Sequence, residues 1–168
     1  ARFVYNHYRR VREEYYQETR SGLNYYDCAT DLSERLKSEH PWIKEANAQV
    51  LQQTLKDLDK AYGNFFKGFA NYPNFKRKHD KQSIRYPQGF KFSTNTIYLP
   101  KVGWVKCVYH RNIEGKAKNV TVSRTKTGKY FASVQCEIEV AQPVQRLDSV
   151  GIDFGIKHFA VLSTGEKI

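Results

Sequence analysis

The sequence predicts an α+β chain in three parts, and three observations carry that prediction. Across residues 3–70 apolar side chains recur every three or four positions, the period of helices with one buried face. Across residues 90–140 the texture changes to short runs of β-branched and aromatic residues, punctuated by Gly103, Gly115 and Thr127-Gly128. Charge divides at nearly the same places. Residues 1–72 hold 11 Lys/Arg against 10 Asp/Glu, residues 73–145 hold 14 against 4, and residues 146–168 hold 3 of each. The middle part thus carries nearly all of the net charge of +11. A solvated surface of mixed sign would not segregate in this way, whereas a face that meets a polyanion would. Nucleic acid is the first partner to consider. An anionic membrane surface is second, and it is weakened by the lack of a basic amphipathic helix.

The first helix is expected over residues 3–16, with Phe3, Val4, Tyr8, Val11 and Tyr15 on its apolar side and Arg9, Arg10 and Arg12 on others. Ser21-Gly22 should end it. Asn24 is an N-cap residue type for a second helix over 25–38, patterned on Tyr25, Cys28, Ala29, Leu32 and Leu36 and broken by His40-Pro41-Trp42. A third is expected over 47–70, with Val50, Leu51, Leu55, Leu58, Tyr62, Phe65, Phe66 and Phe69 as one apolar stripe. That stripe reads as core shared among three helices rather than as a surface for stacking bases. Its polar side carries Gln49, Gln52, Gln53, Lys56 and Lys60. Side-chain amides can pair with base edges in a major groove; a merely solvated face is the plainer alternative.

Tyr72-Pro73 marks a boundary. Beyond it Lys76, Arg77, Lys78, Lys81 and Arg85, interleaved with Phe75 and Tyr86, suit phosphate contact and stacking together. Five strands are expected at 90–92, 96–99, 104–109, 119–124 and 130–140, and short antiparallel strands so spaced predict a small barrel. Ala141-Gln142-Pro143-Val144 then reads as a linker.

The last part centres on Val150-Gly-Ile-Asp-Phe-Gly155. On a strand, Val150, Ile152 and Phe154 would point to a core, and Asp153 would point the other way between Gly151 and Gly155. A carboxylate in so apolar a run is costly without compensation, and a bound cation is one form of compensation found at functional sites. A structural Asp at a strand end is the alternative. Residues 159–162 form a second apolar run, closed by Ser163-Thr164-Gly165.

Several chemistries are not supported. Cys28, Cys107 and Cys136 are odd in number and widely spaced, which suits free thiols in a reducing compartment rather than a zinc or redox motif. The five His residues lack metal-ligand spacing, and there is no Gly-rich phosphate loop or nucleophile elbow. No apolar run is long enough to span a bilayer and no signal-peptide pattern is present, so the expectation is a cytoplasmic, nucleoid-associated protein without membrane contact. The chain contains no Met and opens on Ala1, so it is expected to be a piece of something longer.

A succession of islands carries a family resemblance. They are Ala1-Arg-Phe-Val-Tyr-Asn6, Val50-Leu-Gln-Gln-Thr-Leu55, Ala61-Tyr-Gly-Asn-Phe-Phe66, Tyr72-Pro-Asn-Phe-Lys76, Gln82-Ser-Ile-Arg-Tyr86, Leu99-Pro-Lys-Val-Gly-Trp-Val105 and the stretch from Val150 to Ala160. In this order the chain resembles the TnpB (OrfB) family, insertion-sequence proteins that act as RNA-guided DNA endonucleases. The resemblance implies a helical recognition lobe at 1–72, a basic, wedge-like β-barrel lacking an N-terminal strand at 73–145, and the first strands of an RNase H/RuvC-like nuclease domain at 146–168. It implies guide RNA and double-stranded target DNA as partners, contacted through Gln49, Gln52, Gln53, Lys56, Lys76, Arg77, Lys78, Lys81, Arg85 and Tyr86. Asp153 matches the first catalytic carboxylate, a ligand of two Mg²⁺ ions. Its Glu and Asp partners and a zinc ribbon are expected beyond Ile168, so this segment by itself is expected to be inactive. The alternative is a non-catalytic nucleic-acid-binding remnant of a decayed element.

Overall fold

A computed structural model describes residues 1–80, 82–139 and 150–168. Lys81, the expected linker at 141–144, the end of the last expected barrel strand and the 145/146 boundary lie outside the described residues. Two compact units are present, Ala1–Ile138 and Glu139–Ile168.

In the first unit, helix α1 spans Arg2–Thr19 and stops where Arg20 turns left-handed, at φ 57°, ahead of the Ser-Gly pair. Helix α2 spans Tyr25–Asp31. Asn24 starts it by accepting the Tyr26 and Asp27 N–H groups, while the Asp27 carboxylate accepts the Asn24 N–H, a reciprocal cap. The chain continues through a π-helical turn, Leu32–Leu36, and a last helical turn, Lys37–Glu39. Pro41 cannot continue that helix and opens a 3-10 turn, Pro41–Glu45. Helix α3, Ala48–Phe66, is capped by the Asn47 side chain on the Gln49 and Val50 N–H groups.

The three helices bury Val4, Tyr8, Cys28, Leu32, Leu36, Ile43, Leu51, Leu55, Leu58 and Tyr62 in one core. Burial there pushes the Cys28 thiol up to about 11, so it behaves as a small hydrophobe. Two expectations about these helices are corrected. The apolar stripe of α3 does not stay inside, because the helix ends at Phe66 and both Phe66 and Phe69 are exposed. Arg9 and Arg12, expected away from the apolar side of α1, are turned inward. Arg9 donates to the Pro73 carbonyl (2.9 Å) and to Glu13 (2.8 Å), and its guanidinium lies 3.8 Å from the centre of the Phe75 ring. Arg12 donates to the Leu23 carbonyl and to Asp59 (2.7 Å), and lies over Tyr62. Every donor so used offsets desolvation of a buried charge.

The rest of this unit is antiparallel sheet. Its strands are β1 (Gln82–Tyr86), β2 (Lys91–Ser93), β3 (Thr96–Leu99), β4 (Gly103–Lys106), β5 (Lys116–Arg124) and β6 (Tyr130–Glu137). They form two three-stranded sheets, β1-β5-β6 and β2-β3-β4. The expected barrel is therefore corrected: neither sheet closes, and a cleft of about 990 Å³ opens along Phe92, Ile97, Val105, Val122 and Val134. Strand β1 is a further difference, since the expected strands began at residue 90 and 82–86 fell in the basic segment ahead of them. Its pairing is non-local, with Ile84 opposite Val122 and Tyr86 opposite Val120. The β5–β6 hairpin turns at Gly128 as expected, with φ 85°. Gly115 is required for another reason: a Cβ there would stand 2.2 Å from the Glu137 carbonyl oxygen. The two sheets share a small core of Tyr86, Ile97, Leu99 and Val120, and Val50 of α3 completes it.

The second unit is a two-stranded ribbon, β7 (Ile152–Asp153) against β8 (Val161–Leu162), with Ser163 bonded through both N–H and Oγ to Gly151. Val150, Ile152 and Phe154 were expected to face a core, and all three are exposed. A two-stranded ribbon has no second layer to cover them. No described helix is long and apolar enough to cross a membrane.

Two predictions follow from the helical core. Leu55 is 2% exposed, so Leu55→Ala is expected to cost about 2–5 kcal/mol in urea unfolding. Stability should also fall on acidification. Burial, with Arg35 and Arg10 nearby, holds His7 below its ordinary 6.5. Burial pushes the Asp31 carboxyl up, but hydrogen bonds from Arg35 and Tyr8 outweigh it and leave Asp31 below its ordinary 3.8. Both groups bind protons more readily when unfolded, so their contribution is complete above those ordinary values and is lost as pH falls through the folded ones. Melting temperature against pH should therefore drop first below about 6.5 and again below about 4. His7→Phe should remove the first step and Asp31→Asn the second.

Candidate nucleic-acid interface

On α3, positions 49, 52, 53 and 56 fall three and four residues apart, which puts Gln49, Gln52, Gln53 and Lys56 on one stripe. Gln52 and Lys56 are exposed, and Gln49 and Gln53 are half-buried. The Gln53 amide donates to Asp57 Oδ1 (2.9 Å), which leaves its carbonyl oxygen free for a donor. Lys56 Nζ lies 5.5 Å from the centre of the Tyr25 ring.

Arg85 reaches the same carboxylate from β1: its Nη1 is 3.4 Å from Asp57 Oδ1. Both side chains are more than a third exposed, so the pair is worth under about 1 kcal/mol. It joins strand to helix and places Arg85 beside the glutamine stripe. Adjacent strand residues point to opposite faces. Arg85 is therefore outside, while Tyr86 is 3% exposed and packs in the sheet core. Its ring cannot stack on a base, which corrects its place beside Arg85 on the interface.

The segment between helices and sheet is held at its start. Asn6 receives the Lys76 N–H (2.8 Å) and donates to the Lys76 carbonyl (2.9 Å), and Pro73 is tied to Arg9. The Lys76 ammonium lies 4.1 Å from the centre of the Tyr5 ring. Burial of that ammonium lowers its pKa, and Asp57 opposes the shift. Lys76 is thus exposed as a residue yet committed at its ammonium. Arg77 and Lys78 follow in a turn closed by the Arg77 N–H on Asp80 (3.0 Å). Both are exposed and make no ion pair among the described residues. Lys81 lies outside the described residues. Asp57 was missed as the acid that Gln53 and Arg85 share; its place four residues after Gln53 was the available signal.

Asp153 is exposed on β7, opposite Val161, with Gly151 lying against Ser163 and Gly155 against the His158 carbonyl. Mg²⁺ takes about six oxygen ligands. Among the described residues no three His, Cys, Asp or Glu side chains gather to hold a metal. One carboxylate does not make the site.

No protein-family model matches the chain. Its similarity is to individual proteins. A protein of Escherichia coli (strain K12), named "Putative RNA-guided DNA endonuclease InsQ", is 40% identical over 169 residues, which is 98% of this chain and 42% of that protein. A protein of Streptomyces pristinaespiralis, named "Putative RNA-guided DNA endonuclease", is 32% identical over 174 residues, covering all of this chain and 43% of its own length. The chain thus spans about two-fifths of the relatives it matches.

The shared carboxylate yields a prediction. Asp57→Asn should release Arg85 and Gln53 and remove an anion from the basic face. Binding of a single-stranded RNA oligonucleotide, followed by fluorescence anisotropy, should tighten by about two- to fivefold, the scale of one exposed pair. Unchanged affinity would place Arg85 and Gln53 outside the contact surface.

Proposed function

From homology along its whole length to these two relatives, as the TnpB (OrfB) resemblance implies, we propose that this chain is the nucleic-acid-holding segment of a transposon-encoded, RNA-guided DNA endonuclease. The single observation that carries the proposal is the match over 98% of the chain to a relative so named. The geometry supports it with exposed cations and amides carried by one compact unit. The glutamine stripe of α3 with Arg85 beside it, and the exposed pair Arg77 and Lys78, all belong to that unit. Those exposed cations would neutralise backbone phosphates, while the amides of Gln49 and Gln52 would meet base edges or sugar hydroxyls. Guide RNA and double-stranded target DNA are the partners of this reading.

Asp153 is proposed as one carboxylate ligand of a RuvC-type Mg²⁺ centre, with the remaining ligands supplied from outside the described residues. Such a metal stabilises charge at a scissile phosphate. The segment alone is proposed to bind without cutting. A non-catalytic remnant would share every binding property and differ only in a parent protein that lacks the other carboxylates.

In a full-length protein containing this segment, Asp153→Ala should abolish DNA cleavage and leave RNA affinity unchanged. Reversing Arg77 and Lys78 to Glu should weaken RNA binding and flatten its dependence on salt, because fewer counterions are released. Retained cleavage in the first variant would remove Asp153 from the mechanism, and an unaltered salt slope in the second would reduce the patch to a solubilising face.

A further inference from the structure

The outer face of the β2-β3-β4 sheet takes no part in the surface described above. Directly opposed residues in an antiparallel ladder share a face. The register sets Lys91, Tyr98 and Trp104 in one row across the three strands, and Ser93, Thr96 and Lys106 in the next. Ile97 and Leu99 alternate with them on β3 and are buried on the inner side, so both rows face outward, about 7 Å apart along the strands. The Tyr98 and Trp104 rings meet edge to face, 5.5 Å between centres at 61°, which leaves the indole 55% exposed.

The segment that carries this pair has charge of one sign. Residues 81–113 contain six Lys/Arg and no Asp or Glu. Lys91 and Lys106 are exposed and form no ion pair among the described residues. An exposed indole beside a half-buried phenol, two ammonium groups without ion pairs among the described residues and two hydroxyls on one sheet face match the needs of an unpaired nucleotide: a π-face for the base, cations for phosphates and polar groups for the sugar. An apolar protein partner would leave both ammonium groups desolvated without counter-charge.

We propose that this sheet face is a stacking platform for an unpaired base of single-stranded RNA, with Trp104 under the base, Tyr98 braced edge to face against the indole, and Lys91 and Lys106 on the flanking phosphates. The proposal rests on the reading that the basic middle of the chain binds RNA, and it assigns a distinct place and chemistry to that binding. Trp104 is one of two tryptophans, so in a Trp42→Phe background it is the sole reporter. Titration with a mixed-sequence single-stranded RNA 12-mer should quench its emission, and an RNA duplex of equal length should not.

Trp104→Ala should weaken binding of the single strand about tenfold, within the range for losing one base–aromatic stack, and Trp104→Phe should recover most of it. Paired Lys91→Gln and Lys106→Gln substitutions should reduce the magnitude of the logarithmic salt slope by about 1.4, the share of two phosphate contacts on a single strand. The indole is largely exposed, so melting temperatures should stay close to that of the parent. If any variant fails to fold, quenching in the Trp42→Phe protein decides. Absent quenching together with unchanged affinity in Trp104→Ala would overturn the platform; if Arg77→Glu with Lys78→Glu still weakened RNA binding, the broader reading would stand. No salt-dependent RNA binding by the chain at all would overturn both.

Discussion

Helix α3 is the wall on which both halves of the first unit are built. Consecutive helical residues point about 100° apart, so Val50 and Leu51 leave the helix toward different partners. Leu51, Leu55, Leu58 and Tyr62 close the helical core, while Val50 enters the core of the sheets. The sheet core is small, and strands that do not close on themselves need an outside surface to bury their inner face. A helix buried on two sides keeps only a narrow stripe for solvent. On α3 that stripe carries the glutamines and Lys56.

The connection between helices and sheet depends on the same economy of side chains. Tyr72-Pro73 marks a change of architecture, but it is not a loose joint. Arg9 holds the Pro73 carbonyl and stacks on Phe75, and Asn6 brackets the Lys76 backbone. The basic segment therefore leaves from a defined point on α1 and is taken up directly by β1. A guanidinium serves well in this role because it bonds in its plane while its face rests on an aromatic ring.

Composition alone overstates the free positive charge. Arg9, Arg12, Arg35 and Arg85 are engaged by carboxylates, and the Lys76 ammonium sits on Tyr5. Arg77, Lys78, Lys91 and Lys106 are exposed without such pairing among the described residues. Paired arginines order the fold, and unpaired cations carry the field that a polyanion would meet. In the second unit the same separation of roles leaves Asp153 open on a ribbon whose apolar neighbours are also uncovered.

The sequence by itself determined the local features, because each rests on contacts within a few residues. Three helices, the Asn24 cap, the Gly128 turn and the segregation of charge were all legible in it, as was the family resemblance carried by ordered islands. Neighbouring positions also showed that 49, 52, 53 and 56 share a stripe. Tertiary structure alone decided what depends on residues far apart. The inward turn of Arg9 required Pro73 and Phe75, the burial of Tyr86 required Val120 on a strand more than thirty residues away, and the open sheets required two ladders to stop short of meeting. Periodicity states which side chains share a face; only long-range pairing states which face is covered and what covers it.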